Sequence, residues 1–390
     1  MINSSLKKAK INNKKIIIRT DFNVPIIDNI IQSTKRIDSA LKTIKFVLEN
    51  KPKQIIIISH LGRPNGIEKK LTLEPIRNYL SKILKTNVDL CFIDKISENK
   101  NLIVLLENIR FYPEETNNLD STINFRKKLS ELGDIYINDA FGCCHRAHSS
   151  IVGINTKYKY MGFLVEKELN YLKNSLNSDG IKTLILGGSK VGDKIKLIKN
   201  LIPKMNNILI GGGMAFTFLK YHNVKIGKSL IDIDNLKSVK DILSFAEKYN
   251  TKIILPIDFR CNDIFSNDGN ICNFTDSHGI PSNFMGLDIG DNTISLFNSI
   301  LVKSDIIIWN GPLGVFEFDN FAKGSKDILN YISTLKNTTK IIGGGDIVSC
   351  CEKFNLSSKM DHVSTGGGAS LELLEGKILP GIKFLENSAL

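Results

Sequence analysis

The sequence predicts an α/β protein built as two doubly wound parallel-sheet domains joined by a helix. Three observations predict it. Short runs of β-branched residues recur almost without polar alternation, as in Ile16–Arg19, Ile55–Ser59 and Ile306–Trp309, which is the pattern of parallel strands covered on both faces. Stretches of helical periodicity lie between the runs. The runs also fall into two groups, one ending in charged and polar side chains and the other in glycine, and 390 residues exceed the capacity of one ordinary core.

In chain order, the first half offers strands at Ile16–Arg19, Ile55–Ser59, Ile103–Leu106 and Ile135–Ile137, with a helix over Asp38–Glu49. Each run ends in side chains able to bind: Asp21 and Asn23, then His60 and Arg63, then Arg110, then Asn138 and Asp139 ahead of His145, Arg146 and His148. Gly162–Leu176 reads as one amphipathic connecting helix. The second half offers strands at Thr183–Leu186, Ile208–Ile210, Lys252–Leu255, Ile306–Trp309 and Lys340–Ile342, with helices over Lys194–Ile202 and Leu236–Tyr249. Here the runs end in glycine: Gly187–Gly188, Gly211–Gly213, Gly311, Gly343–Gly345 and Gly366–Gly368. The expected division is 1–162, a connecting helix 163–176, a second Rossmann-like domain 177–371, and a tail 372–390 packing back on the first domain. Ligands of open α/β sheets sit at the carboxyl ends of strands. The first sheet is therefore expected to grip with charged side chains and the second with backbone N–H groups.

Composition narrows the class. Hydrophobic content of 42% and charged content of 24% suit a globular protein. No apolar run is long enough to span a membrane, and the basic N-terminus has no apolar core of a secretory signal, so a cytoplasmic location is expected. Seven cysteines without a C-x-x-C pair fit reduced thiols. The net charge of +12 is mostly lysine spread along the chain. The eight arginines are more telling, because seven precede residue 150 and guanidinium is suited to two-pronged anion contacts. Arg36, Arg63, Arg110 and Arg146 make a candidate basic pocket for phosphate and carboxylate. Arg77 and Arg126 read as surface charges, and Arg19, within a strand, as half of a structural ion pair. No metal-ligand spacing appears among the histidines.

Glycine turns that enter helices let N–H groups approach phosphate. None completes G-x-G-x-x-G, which argues against a nicotinamide site, and Gly187-Gly-Ser-Lys-Val-Gly192 continues Asp-Lys-Ile, so a Walker A loop fails as well. Lys190 and Lys194, four apart at an expected helix start, are candidates for nucleotide phosphates. Asp346, directly after Gly343–Gly345, is placed to hold Mg²⁺ on nucleotide oxygens, and Glu317 to accept from a ribose hydroxyl.

Taken together, Arg19-Thr-Asp-Phe-Asn-Val-Pro25, Ser59-His-Leu-Gly-Arg-Pro64, Leu106-Glu-Asn-Ile-Arg-Phe111, Asn138–Gly142 with His145–His148, Leu186–Lys194, Gly211–Leu219, Met285–Asp288, Trp309–Glu317, Gly343–Asp346 and Val363–Gly376 resemble the phosphoglycerate kinase family, in order over nearly the whole chain. The resemblance implies that Asp21, Phe22, Asn23, Arg36, His60, Leu61, Gly62, Arg63, Arg110 and Arg146 hold 3-phosphoglycerate. It implies that Lys190, Lys194, Gly286, Leu287, Glu317, Gly344, Gly345, Asp346 and Ile347 serve ATP or ADP, with Mg²⁺ on Asp346. Arg36, Lys194, Gly367 and Gly368 would attend the phosphoryl group in transfer. Ile347 stands where the family usually has Thr, so a hydroxyl contact is lost while the N–H remains. Leu313 occupies a variable family position, and Cys143–Cys144 replace small residues.

The implied reaction exchanges a phosphoryl group between ATP and 3-phosphoglycerate, giving 1,3-bisphosphoglycerate and ADP. Its carboxylate nucleophile is already ionised and needs no general base. Hinge closure around the 162–176 helix, a monomeric state, and no nucleic-acid or membrane partner are expected with it. The alternatives are a non-catalytic nucleotide- or RNA-binding protein, for which no RNA-reading motif is visible, and a dehydrogenase, whose fingerprint is missing.

Overall fold

In the computed structural model, which describes residues 5–117 and 120–386, the isoleucine-rich runs form the centres of two six-stranded parallel sheets. The chain divides into two compact units. One runs up to Asn170 and takes back the segment from Ile378; the other is Tyr171–Lys377. Residues 372–377 thus belong to the second unit.

The first unit holds β1 (Lys15–Thr20), β2 (Ile26–Ile27), β3 (Ile30–Ile31), β4 (Gln54–Ile58), β5 (Val88–Cys91), β6 (Ile103–Leu106), β7 (Ile135–Asp139) and β8 (Tyr158–Met161). Its sheet has the order β5-β6-β4-β1-β7-β8, with Ile16 level with both Ile55 and Ile135. β2 and β3 form a separate hairpin whose turn residues Asp28 and Asn29 both have positive φ, as a two-residue turn between twisted strands requires. The helix Lys35–Glu49 buries Ile37, Ala40, Ile44 and Val47 at helical spacing, against Ile16, Ile18, Ile55 and Ile57. The final helix, Pro380–Glu386, packs on this unit, with Gly381 N–H donating to Cys144 O at 2.9 Å.

The second unit holds β9 (Lys182–Leu186), β10 (Asn207–Ile210), β11 (Lys252–Ile254), β12 (Asp258–Asn262), β13 (Cys272–Thr275), β14 (Met285–Ile289), β15 (Ile306–Asn310), β16 (Thr339–Ile342) and β17 (His362–Val363). Its parallel sheet runs β11-β10-β9-β15-β16-β17. Strand order reverses between β9 and β15, so the loops after those two strands flank a switch-point crevice. β13-β12-β14 form an additional antiparallel sheet that the sequence pattern does not predict. Its strands mix polar and apolar residues, as in Asp258-Phe-Arg-Cys-Asn262, and so lack the apolar run that marks a doubly covered strand.

The connecting helix is less regular than expected. It is α-helical over Phe163–Leu169, π-helical over Asn170–Asn174, and closes with Ser175–Asn177. The unit boundary falls at the start of the π segment. Asp139, at the end of β7, caps its first turn by accepting from the N–H groups of Leu164 (2.8 Å) and Val165 (3.4 Å). Burial raises the Asp139 carboxyl to about 7.

Candidate functional site

In the first unit the polar residues after β1, β4, β6 and β7 converge. The loop after β1 is tied down by Phe22 N–H donating to Ser59 Oγ (2.9 Å), while Asn23 Oδ1 accepts from Gly62 N–H (2.9 Å). Arg36, on the first turn of its helix, reaches back to this loop. Its Nη1 lies 3.3–3.4 Å from both Asp21 carboxylate oxygens and donates to Asn23 O at 3.1 Å. Arg110 donates to Gly62 O at 2.6 Å, while its Nε is buried without a partner among the described residues. Arg63 and Arg146 are exposed. Phe22 and Leu61 have side chains in the apolar core and N–H groups engaged by Ser59 and Asn108, so both serve as framework beneath the polar groups.

Arg19 lies beneath this cluster, fully buried. Its Nε donates to Ser150 Oγ at 2.6 Å, its Nη1 to Thr20 O, and Nη2 stands 3.9 Å from the Glu115 carboxylate, which is the internal ion pair expected of it. Arg126 departs from expectation. It is half-buried, donates to Ser149 Oγ (3.3 Å) and lies under Gly153, because its helix faces the Ser149–Val152 turn. Arg77 is also half-buried and pairs with Glu74.

The electrostatics of the cluster are those of an anion site. His60 is held neutral well below its ordinary range, first by burial and then by Arg19, Arg110 and Arg36. His148 is lowered to about 3, by burial and then by Arg110, Arg19 and Arg146. The fold also brings Asp21, His60 and Cys143 within mutual ligand reach, all three pairs inside 4.8 Å, a grouping invisible in the spacing because Cys143 lies 83 residues from His60. The same three guanidiniums that hold His60 neutral oppose a cation there, and burial first of all pushes the Cys143 thiol to about 12.

In the second unit, the glycine turns line a cavity of about 490 Å³ with Gly188, Gly212, Gly286, Glu317 and Asp346 at its wall. Phe216, Phe259, Leu287 and Leu313 make the wall largely apolar, which suits a flat heterocycle. At the crevice, Lys194 Nζ donates to Asn310 Oδ1 at the end of β15, and Asn310 Nδ2 donates to Gly343 O after β16. Burial lowers the Lys194 ammonium below its ordinary range, with Asp346 the largest opposing influence. Glu317 and Asp346 are exposed, and the Asp346 carboxylate makes no hydrogen bond among the described residues.

Two expectations about this unit need correction. Lys190 and Lys194 do not share a helical face, because the α-helix begins only at Ile195 and Lys190 lies on the preceding loop. Nor do all the glycine turns present N–H groups. Those of Gly187, Gly188, Gly211, Gly212 and Gly343 donate to backbone carbonyls, and that of Gly366 to Ser364 Oγ. Glycine at 187 serves close approach instead, since a Cβ there would lie 1.8 Å from Pro312 O. The N–H groups of Gly344, Gly345, Gly367 and Gly368 have no acceptor among the described residues. Gly344, at φ +114°, and Gly367, at φ +50°, stand just before the helices Gly345–Lys353 and Gly368–Leu374. Ile347 is fully buried in the core under the first of these helices, so its aliphatic side chain acts in packing and only its backbone faces the turn.

A model of the family described as "Phosphoglycerate kinase" matches residues 6–377. Phosphoglycerate kinase 2 of Equus caballus and phosphoglycerate kinase 1 of Homo sapiens are each 45% identical over 409 aligned residues, covering 98% of this chain and 98% of each relative. The solved structure of phosphoglycerate kinase from Coxiella burnetii superimposes with a TM-score of 0.91 at 35% identity, covering 99% of this chain and all of that one. The enzyme from Pyrococcus horikoshii gives 0.82 at 31% identity, covering 98% of both chains. The chain therefore belongs to the phosphoglycerate kinase family, and it is a phosphotransferase with the phosphoglycerate kinase activity of glycolysis.

Proposed function

We propose that the arginine-bearing strand ends of the first unit hold 3-phosphoglycerate and that the glycine-lined cavity of the second holds ATP or ADP, with Mg²⁺ as the nucleotide's counter-ion. The observation that supports this reading most strongly is the cluster of guanidiniums around the first unit's strand ends, where burial first, and then Arg19 and Arg110 among other cations, lowers both His60 and His148. A carboxylate acceptor needs no base, only neutralisation and orientation.

In this reading Arg36, Arg63, Arg110 and Arg146 bind the phosphate and carboxylate of the glycerate, while Asp21 and Asn23 orient Arg36 and accept from the glycerate hydroxyl. Gly286 and Leu287 flank the base, Glu317 accepts from the ribose, and Lys190 and Lys194 reach the phosphates. The Asp346 carboxylate fits a hard divalent cation, being an exposed oxygen ligand beside the nucleotide cavity with no hydrogen-bond partner among the described residues. When bound there, Mg²⁺ supplies charge neutralisation of the phosphate oxygens. The N–H groups of Gly344, Gly345, Gly367 and Gly368 are donors kept available for phosphoryl oxygens, and Arg36 and Lys194 stabilise the charge that spreads over the group in transfer.

The testing experiment is a coupled assay for ATP-dependent phosphorylation of 3-phosphoglycerate, combined with separate titrations of each ligand. Arg110→Ala is expected to weaken 3-phosphoglycerate and spare ADP, and Glu317→Ala the reverse. Equal loss of both ligands in either variant would overturn the assignment.

A further inference from the structure

A second cavity, of about 770 Å³, lies at the amino-terminal edge of the first unit's sheet, where Gly133–Ile135 enter β7 and Lys157–Tyr158 enter β8. The groups assigned to 3-phosphoglycerate stand beyond the carboxyl ends of these parallel strands, so the length of β1 separates the two places by roughly 15–20 Å. Four lysines line this cavity: Lys8, Lys10, Lys14 and Lys157. All four are exposed and form no ion pair among the described residues. The single acid in the lining, Asp134, already accepts from Lys15 N–H at 2.8 Å.

The hydroxyls of Ser130 and Thr156 and the amide oxygen of Asn155 are engaged within the fold. Ser130 Oγ donates to Arg126 O (2.7 Å) and accepts from Asn155 N–H (2.8 Å). Asn155 Oδ1 accepts from Lys159 Nζ, and Thr156 Oγ1 donates to Tyr158 O. The binding capacity left over is chiefly the four ammonium groups, together with the Asn155 amide nitrogen, the Tyr160 hydroxyl and the half-exposed ring of Tyr158, whose centroid lies 5.4 Å from Lys157 Nζ. A ligand with several negative charges would find up to four ammonium partners here.

We propose that this cavity is a second anion site, for flexible oligophosphates, separate from the substrate pockets. The class is set by the donors. Lysine ammonium groups are point charges on mobile stems and recognise charge density, without the planar two-pronged geometry that arginine imposes on a single phosphate or carboxylate. A chain of linked phosphates can place successive charges against successive lysines within a cavity of about 770 Å³. Binding through exposed ammonium groups is screened by salt, so affinity falls as ionic strength rises.

The test is a calorimetric titration of inorganic tripolyphosphate into the full chain with ADP and 3-phosphoglycerate already saturating. One further binding event is expected, weakened about tenfold or more in Lys10→Glu/Lys14→Glu. The same change of net charge in Lys237→Glu/Lys240→Glu, on an exposed helix of the other unit, is expected to leave it intact. Kinase activity verifies folding, and Lys10→Gln/Lys14→Gln gives the same readout should the charge reversal misfold. Three results would overturn the proposal: no further event on the wild type, equal weakening in both lysine-pair variants, or a single-stranded oligonucleotide that binds this cavity more tightly than tripolyphosphate.

Discussion

Asp288 gives the sharpest test of the energetics. Its carboxyl is buried in the second unit, where one oxygen accepts from Ile289 N–H (2.9 Å) and the other from Gly324 N–H (2.7 Å), at the start of the helix Lys323–Thr334. Burial dominates these two donors and raises the group from its ordinary value of 3.8 to about 7. In the unfolded chain the carboxyl ionises near 3.8, whereas in the folded chain it keeps its proton up to about 7. Between those values the folded state binds the extra proton, so stability falls as pH rises, then levels off above about 7. The slope from this group is about 1.4 kcal/mol per pH unit well below 7 and falls off towards it, giving about 2 kcal/mol between pH 5 and 7. Asp288→Asn removes the titration, but its amide nitrogen cannot accept, which leaves one of the two N–H groups unpaired at about 1–3 kcal/mol. The variant should therefore be clearly less stable than wild type near pH 5 and nearly equal to it near pH 8. Urea unfolding monitored by fluorescence is well suited, because Trp309 is the sole tryptophan and is fully buried in the same core. Parallel stability–pH curves for the two proteins would show that Asp288 ionises normally in the fold and would refute the reasoning.

Arg36→Lys should lower kcat/KM by about 10- to 1,000-fold with the fold intact, since a point charge cannot both hold Asp21 and reach a phosphate; steady-state kinetics with circular dichroism check it. Asp346→Asn should weaken Mg·ADP binding far more than 3-phosphoglycerate binding, and separate calorimetric titrations would show equal loss if the mutation merely damages the fold. Gly344→Ala forces a Cβ into φ +114° and to within 2.6 Å of Asn310 Nδ2. About 1–3 kcal/mol of stability should be lost, and KM for ATP should rise more than KM for 3-phosphoglycerate.

Much of the fold and of the candidate site was legible in the chain itself. Uninterrupted runs such as Ile55–Ser59 announce doubly covered parallel strands, because only such strands tolerate apolar side chains on both faces. The glycine turns and the clustering of seven arginines before residue 150 pointed to a backbone-lined site and a charged one. The family motifs then supplied the chemistry, and relatives at 45% identity carry the same family assignment. The antiparallel strands Asp258–Asn262, Cys272–Thr275 and Met285–Ile289 stayed hidden, since their mixed composition has no period that distinguishes them from loop.

Tertiary structure alone decided which groups are available and how they are charged. Gly187, Gly212, Gly344 and Gly367 have equal standing as members of glycine-rich turns. Packing engages the N–H groups of the first two with the carbonyls of Asn310 and Leu313 and leaves those of the last two without an acceptor among the described residues. Arginine at 19 and arginine at 63 look alike in the chain, yet one is sealed against Glu115 and Ser150 while the other is exposed. The lowered His60 and raised Asp288 depend on burial and on charges distant in the chain, such as Arg110 on His60. Local sequence sets backbone preference and side-chain chemistry. Desolvation and long-range Coulomb interactions exist only once distant segments have been brought together.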